Sequence, residues 1–464
     1  MSDSAKMYRA GARALTGFLI TAAAAAGVLM LGTVDIPDID RAPHGIAVDT
    51  TQTGERSLVC AGPFAELGAD PSRPEVAVPV GEASLIVGGS VVVSSLGASA
   101  SDTTSTPGAK VVTADVNARL AAAQVQQLGT ATLKGLVAST CVEAVNEQWL
   151  VGGSTTLGFS TTLSLGNASA VPATVQISVF DENGPVPAPQ TAGVIVAPHS
   201  QQTVSLGGYA PNRERLAVRV TSTGAPVSAS LGVARVEGLA PIGAATVTRQ
   251  LRPATSAVIP GVGLSDEHNH EAPADAAHAD RFPVLVRAIA AGGASGTARV
   301  YALDASGARA ELGAIELAPE TVGSLTVSEW PQQATAVLVE SDVPVFSAAQ
   351  GTANAGSGHD FEWFAPAPPI AAGSPLAVPI ASGWALVLVN TGASPAEVRI
   401  TGALPVTVTV GPGTSMLVPA DGAVTLTSTA PIHAGVRRLD AGVLGGYPVL
   451  PLLERGGELT VYTR

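Results

Sequence analysis

Leu216-Ala217-Val218-Arg219-Val220-Thr221-Ser222-Thr223-Gly224-Ala225-Pro226-Val227-Ser228-Ala229-Ser230-Leu231-Gly232-Val233 alternates apolar and polar residues, breaks at Gly-Ala-Pro, and resumes. A period of two sends successive side chains to opposite faces, so each half reads as a half-buried strand and the break as a turn. Working outward, Leu163 and Leu165 alternate with polar neighbours, as do Val175, Ile177 and Val179. Asp181-Glu182-Asn183-Gly184 reads as a hairpin, because Asn-Gly supplies the positive φ that a type I′ turn demands. Six or seven such runs within roughly 110 residues predict a β-sandwich of immunoglobulin-like size. Ala114 to Leu128 resists this reading: Ala121-Ala122-Ala123 and its Gln cluster fit a helix and a strand pair equally.

The pattern recurs. Leu163-Ser164-Leu165-Gly166-Asn167, followed by Ala173-Thr174-Val175, is echoed by Leu386-Val387-Leu388-Val389-Asn390, followed by Ala396-Glu397-Val398. Pro226-Val227-Ser228-Ala229 returns as Pro344-Val345-Phe346-Ser347-Ala348 and as Pro431-Ile432-His433-Ala434. A period near 100 residues exceeds propeller blades of about 40–50 residues and suits whole sandwiches in tandem. The expected organisation is a cytoplasmic tail (1–13), an anchor (14–34) and a divergent β-rich segment holding the Cys pair (35–146). Three sandwiches follow (147–264, 282–370 and 371–464), with an acidic linker at 265–281. Independent sandwiches imply independent unfolding transitions. They also imply that Val227, Val345 and Ile432 are buried while Ser228, Phe346 and His433 face outward. A large Phe346 on an outer face needs cover, so the second and third copies are expected to meet at Phe346 or at Phe361 and Trp363.

The anchor follows from charge and length. Lys6, Arg9 and Arg13 precede the uncharged run Ala14–Val34, and Asp35, Asp38 and Asp40 follow it. As a helix these 21 residues span about 31 Å, enough for a hydrocarbon core of ~30 Å. Basic residues before the span and acidic ones after it predict a cytoplasmic N-terminus and an exported remainder. The competing reading is a cleaved signal peptide, for which Ala22–Ala26 supplies small residues. In an oxidising space the two cysteines, Cys60 and Cys141, read as one disulfide, closing a loop worth about 4 kcal/mol in the chain-entropy picture. Two buried free thiols are the alternative.

Composition excludes several classes. Only 13% of residues are charged and the net charge is −13, so a nucleic-acid binder is excluded by phosphate repulsion. Two Cys in 464 residues exclude a Cys-rich zinc module. No hydrolase nucleophile elbow, His-Glu-x-x-His helix, phosphate loop or dinucleotide fingerprint occurs, so no cofactor is expected. His268, His270 and His278 stand among carboxylates in the 265–281 stretch. They have the chemistry for weak divalent-metal association, and an acidic solvated linker accounts for the same residues. His359-Asp360-Phe361-Glu362-Trp363-Phe364 packs three aromatics and two acids into six residues. Phe361, Trp363 and Phe364 have the faces to meet a sugar ring, or to fill a domain interface in a buried strand. Asn167-Ala168-Ser169 is a formal glycosylation sequon placed where a turn wants Asn anyway.

The run Cys141-Val142-Glu143-Ala144-Val145-Asn146-Glu147-Gln148-Trp149-Leu150-Val151-Gly152-Gly153-Ser154, with the Leu163 strand after it, resembles a family of actinobacterial envelope proteins of unknown function. Cys60-Ala61-Gly62-Pro63 is similar to that family's first Cys motif. The resemblance implies an N-terminal membrane anchor and a long Ala/Gly/Val-rich exported region, and it transfers no catalytic residue. Two function classes remain. One is a non-catalytic tethered stack of sandwiches binding an envelope glycan or protein. The other is an envelope enzyme or enzyme accessory acting on cell-wall glycan, which would require a cleft with two suitably spaced carboxylates.

Overall fold

A computed structural model describes residues 4–31, 45–49, 54–67, 72, 77–98, 108–187, 193–266, 282–355, 358–454 and 458–462. The chain forms two compact units, Met1–Gln52 with Arg455–Arg464, and Thr53–Glu454. In the first unit a helix runs over Ser4–Leu31, and the strand Gly45–Asp49 pairs antiparallel with Glu458–Tyr462. The helix is 28 residues long and carries Lys6, Arg9 and Arg13 in its first half. Among the described residues no helix is long and apolar enough to cross a membrane.

The second unit is mainly β and built from several sheets. Between Glu55 and Thr140 lie two three-stranded sheets, one of Glu55–Val59, Lys110–Asp115 and Val92–Ser95, the other of Ser84–Gly88, Ala121–Gly129 and Lys134–Thr140. Ala121–Gly129 settles the open stretch as strand, preceded by a turn at Asp115–Ala118. Its alternation was hidden because Gln124 and Gln126 point inward. Gln124 accepts from the Gly62 N–H (3.1 Å) and donates back to the Gly62 carbonyl (2.6 Å), while Gln126 accepts from Phe64 N–H and donates to Val80 O. Cys60 and Cys141 are joined by a disulfide inside this segment's core, beside Leu58, Val112 and Leu120.

Residues 147–247 form two five-stranded sheets, completed by the short strand Gly97–Ala98 from the preceding segment. Leu163, Leu165, Val175, Ile177, Val218, Val220, Val227 and Leu231 fill the space between them, as the period of two requires. Two four-stranded sheets between Leu376 and Pro448 repeat the plan around Leu386, Leu388, Val398, Leu426 and Ile432. The shared Leu-x-Leu-x-Asn ending has one cause in both copies. Asn167 Nδ2 donates to Val171 O, Val196 O and Ala197 O, and Asn390 Nδ2 donates to Ser394 O and Val410 O. Both Asn residues are buried loop clasps, so Asn167 offers no amide for glycosylation.

The middle copy departs from the expectation of separate strands. Ala336–Ala355 is one 20-residue strand that passes Pro344 without ending. Its first half pairs with Ala254–Pro260 and Gly296–Leu303, its second with Leu285–Ala290 and Gly358–Phe364. Ala254–Pro260, assigned from sequence to the 147–264 domain, is therefore hydrogen-bonded into the sheet of the following one.

Nor are the copies independent. Lys134–Thr140, Ala240–Val247, Gly358–Phe364 and Val443–Pro448 pack against one another in that order, and the fourth closes back on the first. Ala123, Leu136 and Ala138 of the first segment sit in the same core as Leu386 and Ile432 of the last. Val227, Val345 and Ile432 are buried, but Ser228 and Phe346 on the opposite side of their strands are buried too, because neighbouring segments cover that face. Phe346, Phe361 and Trp363 join the core of residues 147–247 rather than a junction with the last copy, with Phe346 stacked 4.8 Å from Trp149. The second and third copies meet through Val258, Leu303, Leu338, Val387 and Val389 instead.

Candidate functional site

Among the described residues, two places bring chemically capable side chains together: the middle of the four-strand junction, and a seam around Arg249. At the junction each participating strand is at or near a sheet edge, and a buried edge leaves N–H groups that need acceptors. The strand Gly358–Phe364 supplies them. Asp360 and Glu362, two residues apart and so on one face, are 2% and 0% exposed. Asp360 Oδ2 accepts from Leu136 N–H (2.9 Å) and Leu444 N–H (3.2 Å), and its Oδ1 from Phe361 N–H (3.0 Å). Glu362 Oε1 accepts from Thr246 N–H (3.2 Å) and Trp363 N–H (3.0 Å), with the Gly446 amide also bonded to the carboxyl.

Glycines make the approach close enough. A Cβ on Gly135 would lie 2.7 Å from both Ala244 N and Asp360 Oδ1, and one on Gly243 would lie 2.8 Å from the Phe361 ring. Burial pushes the Asp360 carboxyl up to about 8 against the lowering pull of its three backbone donors and Lys134, and raises Glu362 well above the usual carboxylate range.

On the other face of the same strand, Trp363 lies under the Arg287 guanidinium, 4.8 Å from ring centroid to Cζ. Arg287 donates to Gly153 O and to Glu214 O (2.9 Å), and burial lowers it to about 10, so it remains a cation at neutral pH. Arg437 plays a matching part toward Gly261 O and Val262 O. Phe361, Trp363 and Phe364 are all buried and present no face to a soluble sugar. The single-sequence signal that marked this stretch, acids interleaved with aromatics, was real. What it encodes is a strand with Asp360 and Glu362 turned to the neighbouring edges and Phe361 and Trp363 turned to the core of residues 147–247, while Phe364, on the carboxylates' side, fills the core of the middle copy.

The second place lies beside the disulfide. Arg249 is buried, donates to Glu143 O (2.9 Å), and separates two narrow clefts. One, about 460 Å³ including its solvent-filled mouth, runs between Leu58, Leu120, Glu143, Tyr447 and Leu452; the other, about 360 Å³, is walled by Ser139, Ser164, Gln201, Ser228 and Thr248. Glu143 is committed at this seam: it accepts from Leu453 N–H (2.6 Å) and faces Arg56 at 3.8 Å. Neither cleft is lined by two carboxylates or by a His, so neither presents a general acid–base pair.

His268, His270 and His278 lie outside the described residues. Among the described residues no group of three or more His, Cys, Asp or Glu could hold a metal ion.

No curated protein matches the sequence. Among solved structures, the BSP domain of a biofilm-associated protein aligns at 10% identity over 79% of this chain and 66% of its own length, with a TM-score of 0.11. A superposition that loose carries no argument. The profile of a family of unknown function, DUF5719, matches residues 100–434, well over half of the chain, and the protein belongs to that family.

Proposed function

We propose that the protein is a non-catalytic envelope component of actinobacterial type. In this reading it is tethered to the cell membrane by residues 14–34, with its N-terminus cytoplasmic, and binds an envelope glycan or protein through the exported β unit. One observation carries the reading. The buried groups best suited to chemistry, Asp360, Glu362, Arg287 and Arg437, are spent on backbone groups of other segments, which is the economy of a scaffold. Paired sheets with apolar cores at 147–247 and 376–448 support tandem immunoglobulin-like sandwiches as the building plan. The tether is supported by the basic-to-acidic charge order and by Leu15, Phe18, Leu19, Ile20, Val28, Leu29 and Met30, each more than half exposed on the N-terminal helix.

Two experiments test the proposal. A tag placed after Arg464 should be cleaved when intact spheroplasts are treated with protease; protection of that tag sinks the topology. Cross-linking in whole cells followed by purification should recover envelope polymer or exported proteins. Hydrolysis of purified wall glycan by the isolated chain would defeat the non-catalytic reading.

A further inference from the structure

Asp360 and Glu362 do more than cap amides. Between them they reach Leu136, Thr246 and Leu444, one residue from each of the three other strands at the junction. Removing either carboxyl therefore frees N–H groups from different parts of the chain at one point. We propose that Asp360 and Glu362 form a proton-operated clasp, closed while the carboxyls keep their protons and loosened when those protons leave to solvent.

The surroundings decide the direction. Strand Ala240–Val247 carries no titratable group, and Val443–Pro448 carries only Tyr447, whose hydroxyl is occupied with Pro379 O at 2.6 Å. Strand Lys134–Thr140 brings Lys134, a cation that acts on Asp360. The stretch Ala349–Ala355, paired with the clasp strand, has no charged residue. His359 and Trp363, with Arg287 over its ring, alternate to the opposite face. Two carboxylates ionised here would repel each other across one face of a strand, in a medium that screens them poorly. The backbone N–H donors favour the ionised form, but the two groups are 2% and 0% exposed. Glu362 Oε2 is buried with no hydrogen-bond partner among the described residues, the place for an acid proton. Burial outweighs the donors, and the junction holds neutral acids.

The sign follows from linkage. Asp360 keeps a proton to about pH 8 when folded, against 3.8 for an ordinary Asp. Its stabilising contribution is complete below the unfolded value, is lost as pH rises toward the folded one, and is gone above it. The proton held by Asp360 lowers the folded-to-unfolded ratio roughly tenfold per pH unit across that window, and Glu362, raised as well, acts in the same direction. The test is denaturation of the full chain at pH 5, 6, 7 and 8, for wild type and for Asp360→Asn with Glu362→Gln. Stability of the wild type relative to the variant should fall steadily over the series, and parallel curves would overturn the proposal. Should the variant fail to fold, pH-difference infrared spectra of the wild type decide it. A protonated-carboxyl C=O band present at pH 6 and lost by pH 10, in the still-folded chain, supports the clasp. Spectra without that band refute it.

Discussion

Replacing Trp363 with Ala is expected to destabilise the whole Thr53–Glu454 unit by about 3–5 kcal/mol, the usual cost of removing a buried Trp from a core. The residue belongs by sequence to the strand Gly358–Phe364, yet its ring is 2% exposed within the core of residues 147–247. A Cβ on Gly152 would lie only 3.0 Å from the ring, so the indole fills its site closely and little can collapse into the gap. Arg287 would also lose the aromatic face beneath its guanidinium while staying buried, a contact worth roughly 0.5–2 kcal/mol. Because one side chain links two segments, and the four-strand junction links the rest, calorimetry should show a single transition moved as one. Two resolved transitions, only one of them shifted, would restore the independent sandwiches that the tandem repeats suggested.

Removing the disulfide should have an effect of similar size. Cys60 and Cys141 are 81 residues apart, so Cys60→Ala with Cys141→Ala releases a long loop in the unfolded chain, at a cost of about 4 kcal/mol. The loss should spread beyond the segment that holds the bond, since Leu136 and Ala138, just before Cys141, complete the core of the last copy. Denaturant titration of the oxidised wild type and the double variant measures the difference. Alkylation with mass detection provides the companion check, with two thiols labelled only after reduction. A double variant as stable as wild type would contradict this account.

Much of the local structure was legible along the chain. Alternation at Leu216–Val220 and Val227–Val233 marks strands because a strand's side chains answer to the residue two away, a strictly local relation. Asn167 was legible as a turn residue, and Asn390 as its counterpart in the repeat, for the same reason: their amides bond to carbonyls within about 30 positions. The disulfide was legible from count and expected compartment, which need no coordinates. The anchor run was legible as composition, although among the described residues no helix is long and apolar enough to cross a membrane.

Reading failed where the partner lies far along the chain. Ala114–Leu128 could not be settled because Gln124 and Gln126 look polar until Gly62 and Phe64 arrive to bond them. Phe346 looked exposed because nothing near it announces Trp149, almost 200 positions earlier. Asp360 bonds to Leu136, 224 residues away, and Leu444, 84 residues away. The sequence alone determined that this is a chain of alternating strands in repeated sets, with two cysteines to join. Only the tertiary structure decided that the sets close on one another around two buried acids, because an unpaired N–H at a sheet edge takes whichever acceptor the fold brings to it.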